Sequence, residues 1–374
     1  MATHLPRGVA STCAAPGLIA YVLDDAGLLV APFELGFRVY DASTAELREA
    51  PTQVWPADPN DEVAVDLDLC ADGGHGLGVG RYVAAFTPAA TWRTGRYEIE
   101  WRLQLVSGGV ERRWREPFDL LATTLYPRGP THVLLSQLRE AGVTATAIGD
   151  VRLLEVVVRH SRMVEKMTRR SFGPRFARQR FDGPSGPTLL LVDAIIALEA
   201  VRVSSALDVT VGDALLVENE DLKVFSRHLS QGLLAPDDRD NPRIEFASRG
   251  DERLRLVSVN TFVPGSQNII VDAVWGYTEP GDAPAGTVPE LVERAVFLMT
   301  LRDLPSIVGS NALDDVQKRW KLLGDRAKGD GATIANPRRA EPANSQAGVV
   351  RMTDVPEIDL ALSAMIAPAR IGWA

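Results

Sequence analysis

"IIVDAVWGYTEPGDAPAGTVPELVERAVFLMTLRDL", residues 269–304, changes its period midway, and the fold class turns on that change. Residues 269–275 alternate as a strand does. Trp275-Gly276-Tyr277 then makes an aromatic-Gly-aromatic corner, and a Pro/Gly-rich tether follows. Beyond it Leu291, Ala295 and Leu298, with Val292, Val296 and Met299, recur at three and four, the spacing of an amphipathic helix. "TVPE", with Thr287 and Glu290 three apart, reads as a capping box, and Pro305 as the stop. No catalytic side chain stands out in the segment.

Upstream, residues 17–122 keep a period of two. "FELGFRV" aligns Phe33, Leu35, Phe37 and Val39, and "EVAVDLDL" aligns Val63, Val65, Leu67 and Leu69. "GRYEIEWRLQL" sets Tyr97, Ile99, Trp101, Leu103 and Leu105 against Arg96, Glu98, Glu100, Arg102 and Gln104. Half-buried antiparallel strands separated by turn signals predict a β-sandwich over 17–125, in the size range of immunoglobulin-like domains, after an N-terminal arm at 1–16. "YPRGP" ends it.

The period then becomes helical. "THVLLSQLREAG" predicts a short helix from Thr131 to Gly142, and 150–172 a longer one with Asp150 as N-cap. Leu153, Val157, His160, Val164 and Met167 share one face, while Arg152, Arg159, Arg162, Lys166, Arg169 and Arg170 take the other. Residues 150–182 hold nine Arg/Lys and four Asp/Glu, so 9 − 4 = +5 in a chain of net −9. That face either docks an acidic partner or faces DNA, or is a solvated face tied by the pairs Glu155–Arg159 and Glu165–Arg169. Strand character returns over 175–280, helices follow to about 328, and 329–355 reads as a flexible arm. The fold expected is multidomain: an all-β sandwich, then an α+β domain over 126–328 in which a helical bundle carries a β insertion, then an extended C-terminal tail.

An acidic balance of −9 argues against a protein built to coat nucleic acid. The stretch "TLLLVDAIIALEAV", broken by Asp193 and Glu199, makes a membrane span an unfavoured reading, and the N-terminus lacks a signal-peptide pattern. Cys13 and Cys70 read as buried thiols of a reducing compartment. "GGHGLGVGRY" at 73–82 lacks the following helix of a phosphate loop and reads as a flexible sandwich loop. The five histidines show no metal-pair spacing, and His160 reads as a hydrogen-bonded core residue. Asp237, Asp238 and Asp240 lack the register of a calcium loop and read as a solvated turn. No cofactor and no enzymatic activity are expected.

The tail 356–374 carries Met365, Ile366, Arg370, Ile371 and Trp373 too late in the chain to build a core of its own. Leaving a large aromatic in water is unfavourable, so a docking peptide is the expectation, and its deletion should leave the fold intact.

The helix "LLEVVVRHSRMVEKMTRRSFGPR" running into "RQRFDG", then "LLLVDAIIALEAVRV", "NPRIEF", "QNIIVDAVWGYTEP", "VPELVERAVFLMTLRDL" and the closing "DVPEIDLALSAMIAPARIG" occur in an order that resembles head-tail connector (adaptor) proteins of long-tailed bacteriophages and gene transfer agents. The resemblance covers about 131–304 and the tail. It implies a non-enzymatic virion protein of the neck, assembled in the host cytoplasm, forming a ring, commonly a dodecamer, beneath the portal protein. The tail would enter the portal, the opposite face would receive the next neck component, and DNA would cross the lumen without sequence-specific binding. The 269–304 segment would then be scaffold: its strand closes the β insertion and its helix returns the chain to the bundle. The N-terminal sandwich is an addition to the simplest connectors, placed outside the ring or against capsid. A phage-type adhesin or accessory structural protein whose sandwich binds a glycan or a capsid surface is the alternative.

Overall fold

The computed structural model describes residues 3–9, 11–13, 17–42, 62–72, 74–88, 92–122, 129–203, 214–216, 221–226, 238–246, 261–262, 264–308, 356–363 and 365–366. The alternation at 97–103 is realised with Tyr97, Ile99, Trp101 and Leu103 buried and the intervening residues partly exposed. They lie on β7 (Gly95–Gln104), at the middle of a five-stranded sheet ordered β1-β8-β7-β3-β4. Its other members are β1 (Thr3–Pro6), β3 (Glu34–Asp41), β4 (Val63–Ala64) and β8 (Glu111–Leu121). A three-stranded sheet, β2 (Ile19–Tyr21), β6 (Arg81–Val83) and β5 (Gly76–Gly78), contributes Ala20 and Tyr82 to the same core as Phe37, Trp101 and Phe118. Two sheets thus enclose one apolar interior.

Several expectations are corrected here. Residues 3–6, expected in an arm, pair with β8 in parallel register. Phe33 lies outside β3 and is 56% exposed, because the strand begins at Glu34. The strand expected through Leu69 is two residues long; beyond it the chain turns, and Leu69 points outward. Cys13 and Cys70 are joined in a disulfide rather than standing as free thiols.

In the second unit four helices share one apolar cluster: α1 (Leu135–Glu140), α2 (Asp150–Thr168), α3 (Glu290–Val308) and α4 (Pro356–Ser363). Between α2 and α3 lie β9 (Arg175–Gly183), β10 (Thr188–Leu190), β11 (Ile195–Val203), β12 (Ala214–Leu216), β13 (Leu222–Phe225), β14 (Arg243–Phe246) and β15 (Gly265–Trp275). They form sheets β12-β11-β15-β9 and β10-β14-β13, which enclose Phe181, Ile195, Ile244, Phe262 and Trp275. Helix α1 starts four residues after Thr131, where the Asp119 carboxylate accepts the Ser136 N–H at 2.9 Å and Gln137 Oε1 accepts that of Leu134. Asp150 is the first residue of α2, not its cap, and pairs with Arg139 at 2.6 Å. Thr287 exchanges two backbone hydrogen bonds with Glu279 instead of capping α3, whose first turn opens at Pro289. Pro305 does not end α3, which runs on to Val308. The helix and arm expected over 311–355 lie outside the described residues.

The Trp275-Gly276-Tyr277 corner joins the two cores. Trp275 is buried in the β core and its indole N–H donates to the Ala177 carbonyl at 2.7 Å. Tyr277, two residues on, belongs to the helical core, and its N–H donates to the Ser171 carbonyl, three residues past the end of α2, at 2.8 Å. Gly276 between them has φ 145° and sits so close to Gly173 that a Cβ would lie 2.4 Å from its carbonyl oxygen. Only glycine fits.

Gly276→Ala is expected to destabilise the protein by about 2–5 kcal/mol, strain plus clash, in urea or thermal unfolding. Gly95→Ala, at φ 139° with nothing within 4 Å of the new Cβ, should lose only the backbone part; equal losses in the two variants would refute the close contact. Replacing both Cys13 and Cys70 by Ser opens a link across 57 residues and should lower stability by about 2–5 kcal/mol, a loss that reductant reproduces in the wild type and not in the variant.

Candidate partner-binding surfaces

Helix α2 turns Leu153, Val157, His160 and Val164 into the helical core and leaves Arg152, Arg159, Arg162, Lys166 and Arg169 exposed. Its hydrophobic positions recur at three and four, so the cations fall on the opposite side. Arg162 lies over Gly129, within 2.7 Å of where a Cβ would stand. Arg169 ends the helix in the left-handed region at φ 57°. Arg170, read from sequence as part of this face, is buried instead: once the helix has ended, the chain turns its side chain inward. Its guanidinium donates to Asp240 at 2.7 Å and stacks 4.3 Å from the Tyr277 ring centre. Arg239 covers the same ring at 4.1 Å. Of the three aspartates, Asp238 and Asp240 lie in a 3-10 turn, and the exposed Asp240 carboxylate anchors this clamp; Asp237 lies outside the described residues. Glu165 contacts His132, at 3.4 Å, and the Phe172 N–H, so it serves the interior.

The tail divides at Ile366. Met365 is buried in the helical core beside Ile358 and Leu362, and so is not free to dock elsewhere. Ile366 is half-buried; Arg370, Ile371 and Trp373 lie outside the described residues. Deleting 356–374 would therefore remove core side chains, contrary to the expectation that the fold survives it.

Within the glycine stretch, residues 76–83 form the hairpin β5–β6 rather than a flexible loop, and Gly73 lies outside the described residues. Among the described residues no group of three or more His, Cys, Asp or Glu is arranged to hold a metal ion, and no helix is long and apolar enough to cross a membrane.

A seam between the two units has no counterpart in the sequence reading. Tyr21 and Leu23 of the small N-terminal sheet pack on Ala197, Val274 and Ala285. Arg81 reaches across to Glu199 at 3.0 Å and lies 3.4 Å over the Phe176 ring. Burial raises the Tyr21 hydroxyl to about 12. Along the seam a cavity of about 330 Å³ is lined by Trp114, Glu116, His132, Gln137 and Glu293 among others. Burial pushes both carboxyls, Glu116 and Glu293, above the usual range, although the Trp114 indole N–H donates to Glu116 at 2.7 Å. Such long-range pairs leave no local signal, since 118 residues separate Arg81 from Glu199.

His160 joins α2 to α3 through Thr300 Oγ1 at 3.1 Å and Asp303 Oδ2 at 2.9 Å. Burial holds it and His132 below the ordinary histidine value, against the opposing pull of Asp303 and Glu165. The unfolded chain binds these protons first, so acidification through about pH 6.5 favours unfolding, while above about pH 7.5 neither state is protonated. The stability advantage of the wild type over His160→Gln should be constant above pH 7.5 and shrink below 6.5. A pH-independent difference in paired melts would contradict a buried neutral imidazole.

No protein-family model matches the chain, and no curated protein does. Among solved structures, a chain in the neck of an empty GTA particle computed with C6 symmetry aligns at 17% identity and TM-score 0.33, covering 46% of this chain and 77% of that one. A chain in the neck of a native GTA particle computed with C12 symmetry aligns at 16% identity and TM-score 0.28, covering 41% and 70%. A chain in the virion of a native gene transfer agent (GTA) particle aligns at 13% identity and TM-score 0.36, covering 67% and 99%. Likeness at this level carries no argument about what the chain does.

Proposed function

We propose that the chain is a virion structural protein of the neck, a head-tail connector that assembles with its own copies into a ring beneath the portal. The order of motifs from 131 to 304 and in the last segment supports this reading, and the helical core with a β insertion suits it. The observation that carries it is the seating of α4. Ile358, Leu362 and Met365 complete the core made by α1, α2 and α3, so the chain beyond Ile366 departs from a point fixed on that core. Those last eight residues, 367–374, hold Arg370, Ile371 and Trp373, a basic and apolar set suited to a socket on the portal. The opposite end of the ring would meet the next neck component. DNA would pass the lumen without base-specific contact. The N-terminal unit, fixed by the seam, would project as a rigid outer part of the ring, against capsid.

Two truncations test this. Deleting 367–374 should leave the melting temperature within about 1–2 °C of wild type and abolish co-purification with the cognate portal. Deleting 356–374 should lower stability by about 3 kcal/mol or more through the loss of three buried side chains. Coaxial rings on the portal in electron micrographs of the 367–374 deletion would overturn the docking role.

A further inference from the structure

The N-terminal unit carries an acidic knob, whose described residues are 62–72 and 74–80. Between Asp58 and Gly80 the sequence has six Asp/Glu and no Lys or Arg. Glu62 is neutralised by Arg38 and Arg102, whereas no cation among the described residues pairs with the exposed Asp66, Asp68 or Asp72. Five backbone or side-chain bonds zip the loop to the strand that follows: Asp66 N–H to His75 Nδ1 at 3.2 Å, His75 N–H to Asp66 O at 3.0 Å, Gly76 N–H to Asp68 O at 2.7 Å, and Leu69 O accepting from Asp72 and Gly74 at 2.9 and 3.2 Å. Gly74 permits the approach, since a Cβ there would lie 2.2 Å from Asp68 O. The disulfide from Cys70 to Cys13 pins the knob to the N-terminal segment. On this fixed frame Leu69 and Val79 are 53% and 54% exposed. A merely solvated loop needs no such bracing, and a pre-ordered one loses little entropy on binding.

The complement is on the same chain. The outward face of α2 interleaves its cations with Met163 and Val151, 39% and 42% exposed. Arg with Met is the mixture of a protein interface, and Glu155 at the middle of the face would repel phosphate. The face's exposed cations, Arg152, Arg159, Arg162, Lys166 and Arg169, belong to a chain of net −9, which disfavours a polyanion such as DNA and favours an acidic protein surface.

We infer that the acidic knob of one copy docks on the basic α2 face of the next, Leu69 against Met163, with Asp68 and Asp72 facing Arg159 and Lys166. Two different patches meeting head to tail are what a ring interface requires. The inference rests on the ring reading and names its contact.

The test uses the full-length chain in sedimentation velocity at about 100 μM and low ionic strength. One variant carries Asp68→Lys and Asp72→Lys, the other Arg159→Glu and Lys166→Glu; none of the four residues is buried. The wild type should self-associate in a salt-sensitive way, and each variant alone should do so at least about tenfold more weakly. An equimolar mixture of the two variants should regain association, because the reversed knob of one fits the reversed helix of the other. A wild type that stays monomeric, variants that associate as the wild type does, or a mixture that fails to recover would each overturn the inference, as would duplex DNA binding abolished by the α2 variant with self-association unchanged. Portal rings that form normally from either variant would overturn this contact alone, and loss of portal binding in the 367–374 deletion bears only on the docking tail.

Discussion

Gly276 is the point at which the chain passes from one core of the second unit to the other, and both cores depend on it. A strand that ends with Trp275 in one apolar interior must place Tyr277 in another, and the chain can make that turn only by passing within contact distance of the Gly173 carbonyl. Glycine alone has the φ and the missing Cβ. Once the turn is made, the Tyr277 ring is held by the guanidiniums of Arg170 and Arg239 stacked on it and by a T-shaped contact with Phe172. Each stacked cation contributes about 0.5–2 kcal/mol where water is excluded. The end of α2, the 238–240 turn and the exit of β15 are therefore fixed by one ring.

The same logic, a buried charge used as a tie, recurs through the molecule. Asp272 sits on the face of β15 away from the β core, and burial opposes its ionisation. A two-point contact from Arg178 on β9, at 2.7 and 3.0 Å, and one from Arg202 on β11, at 2.6 Å, override that and hold its carboxyl below the usual range. Three strands are thereby locked in register by one carboxylate. Asp193 beyond β10 accepts from the Ser171 and Ala194 N–H groups, joining the helix exit to the insertion. Removing one partner of such a set leaves an uncompensated charge, which is more damaging than the set is stabilising.

How far the sequence could be read follows from the range of each interaction. Alternation over 97–103 and the three-four spacing of α2 and α3 are local consequences of strand and helix geometry, and the buried residues fall where those periods put them. The errors occur where a distant partner overrides a local rule. Thr287 has the spacing of a cap but finds Glu279 across a bridge. Arg170 continues the basic series in sequence, yet the left-handed residue before it redirects the chain toward Asp240. Met365 looked stranded because its core is supplied by helices that end at residue 308 or earlier. Two cysteines 57 residues apart are uninformative until the fold brings their Cα atoms to 6.0 Å.

In the proposed ring the seam would bear on assembly as much as on stability. Had the N-terminal unit been tethered by a flexible linker, any partner bound through it would be placed loosely, and its effective concentration would fall with the reach of the linker. Instead Tyr21, Leu23 and Arg81 hold it against the outer side of β11 and β15. A patch on that unit and a patch on α2 then have a constant mutual orientation within one subunit. In a closed ring that constancy is the requirement, because the rotation from one copy to the next is set by the angle between donor and acceptor patches, and a small error repeated around the circle prevents closure. In the proposed ring the buried charges that fix the interior would serve the same end as the disulfide that braces the knob, giving weak surface contacts a defined angle.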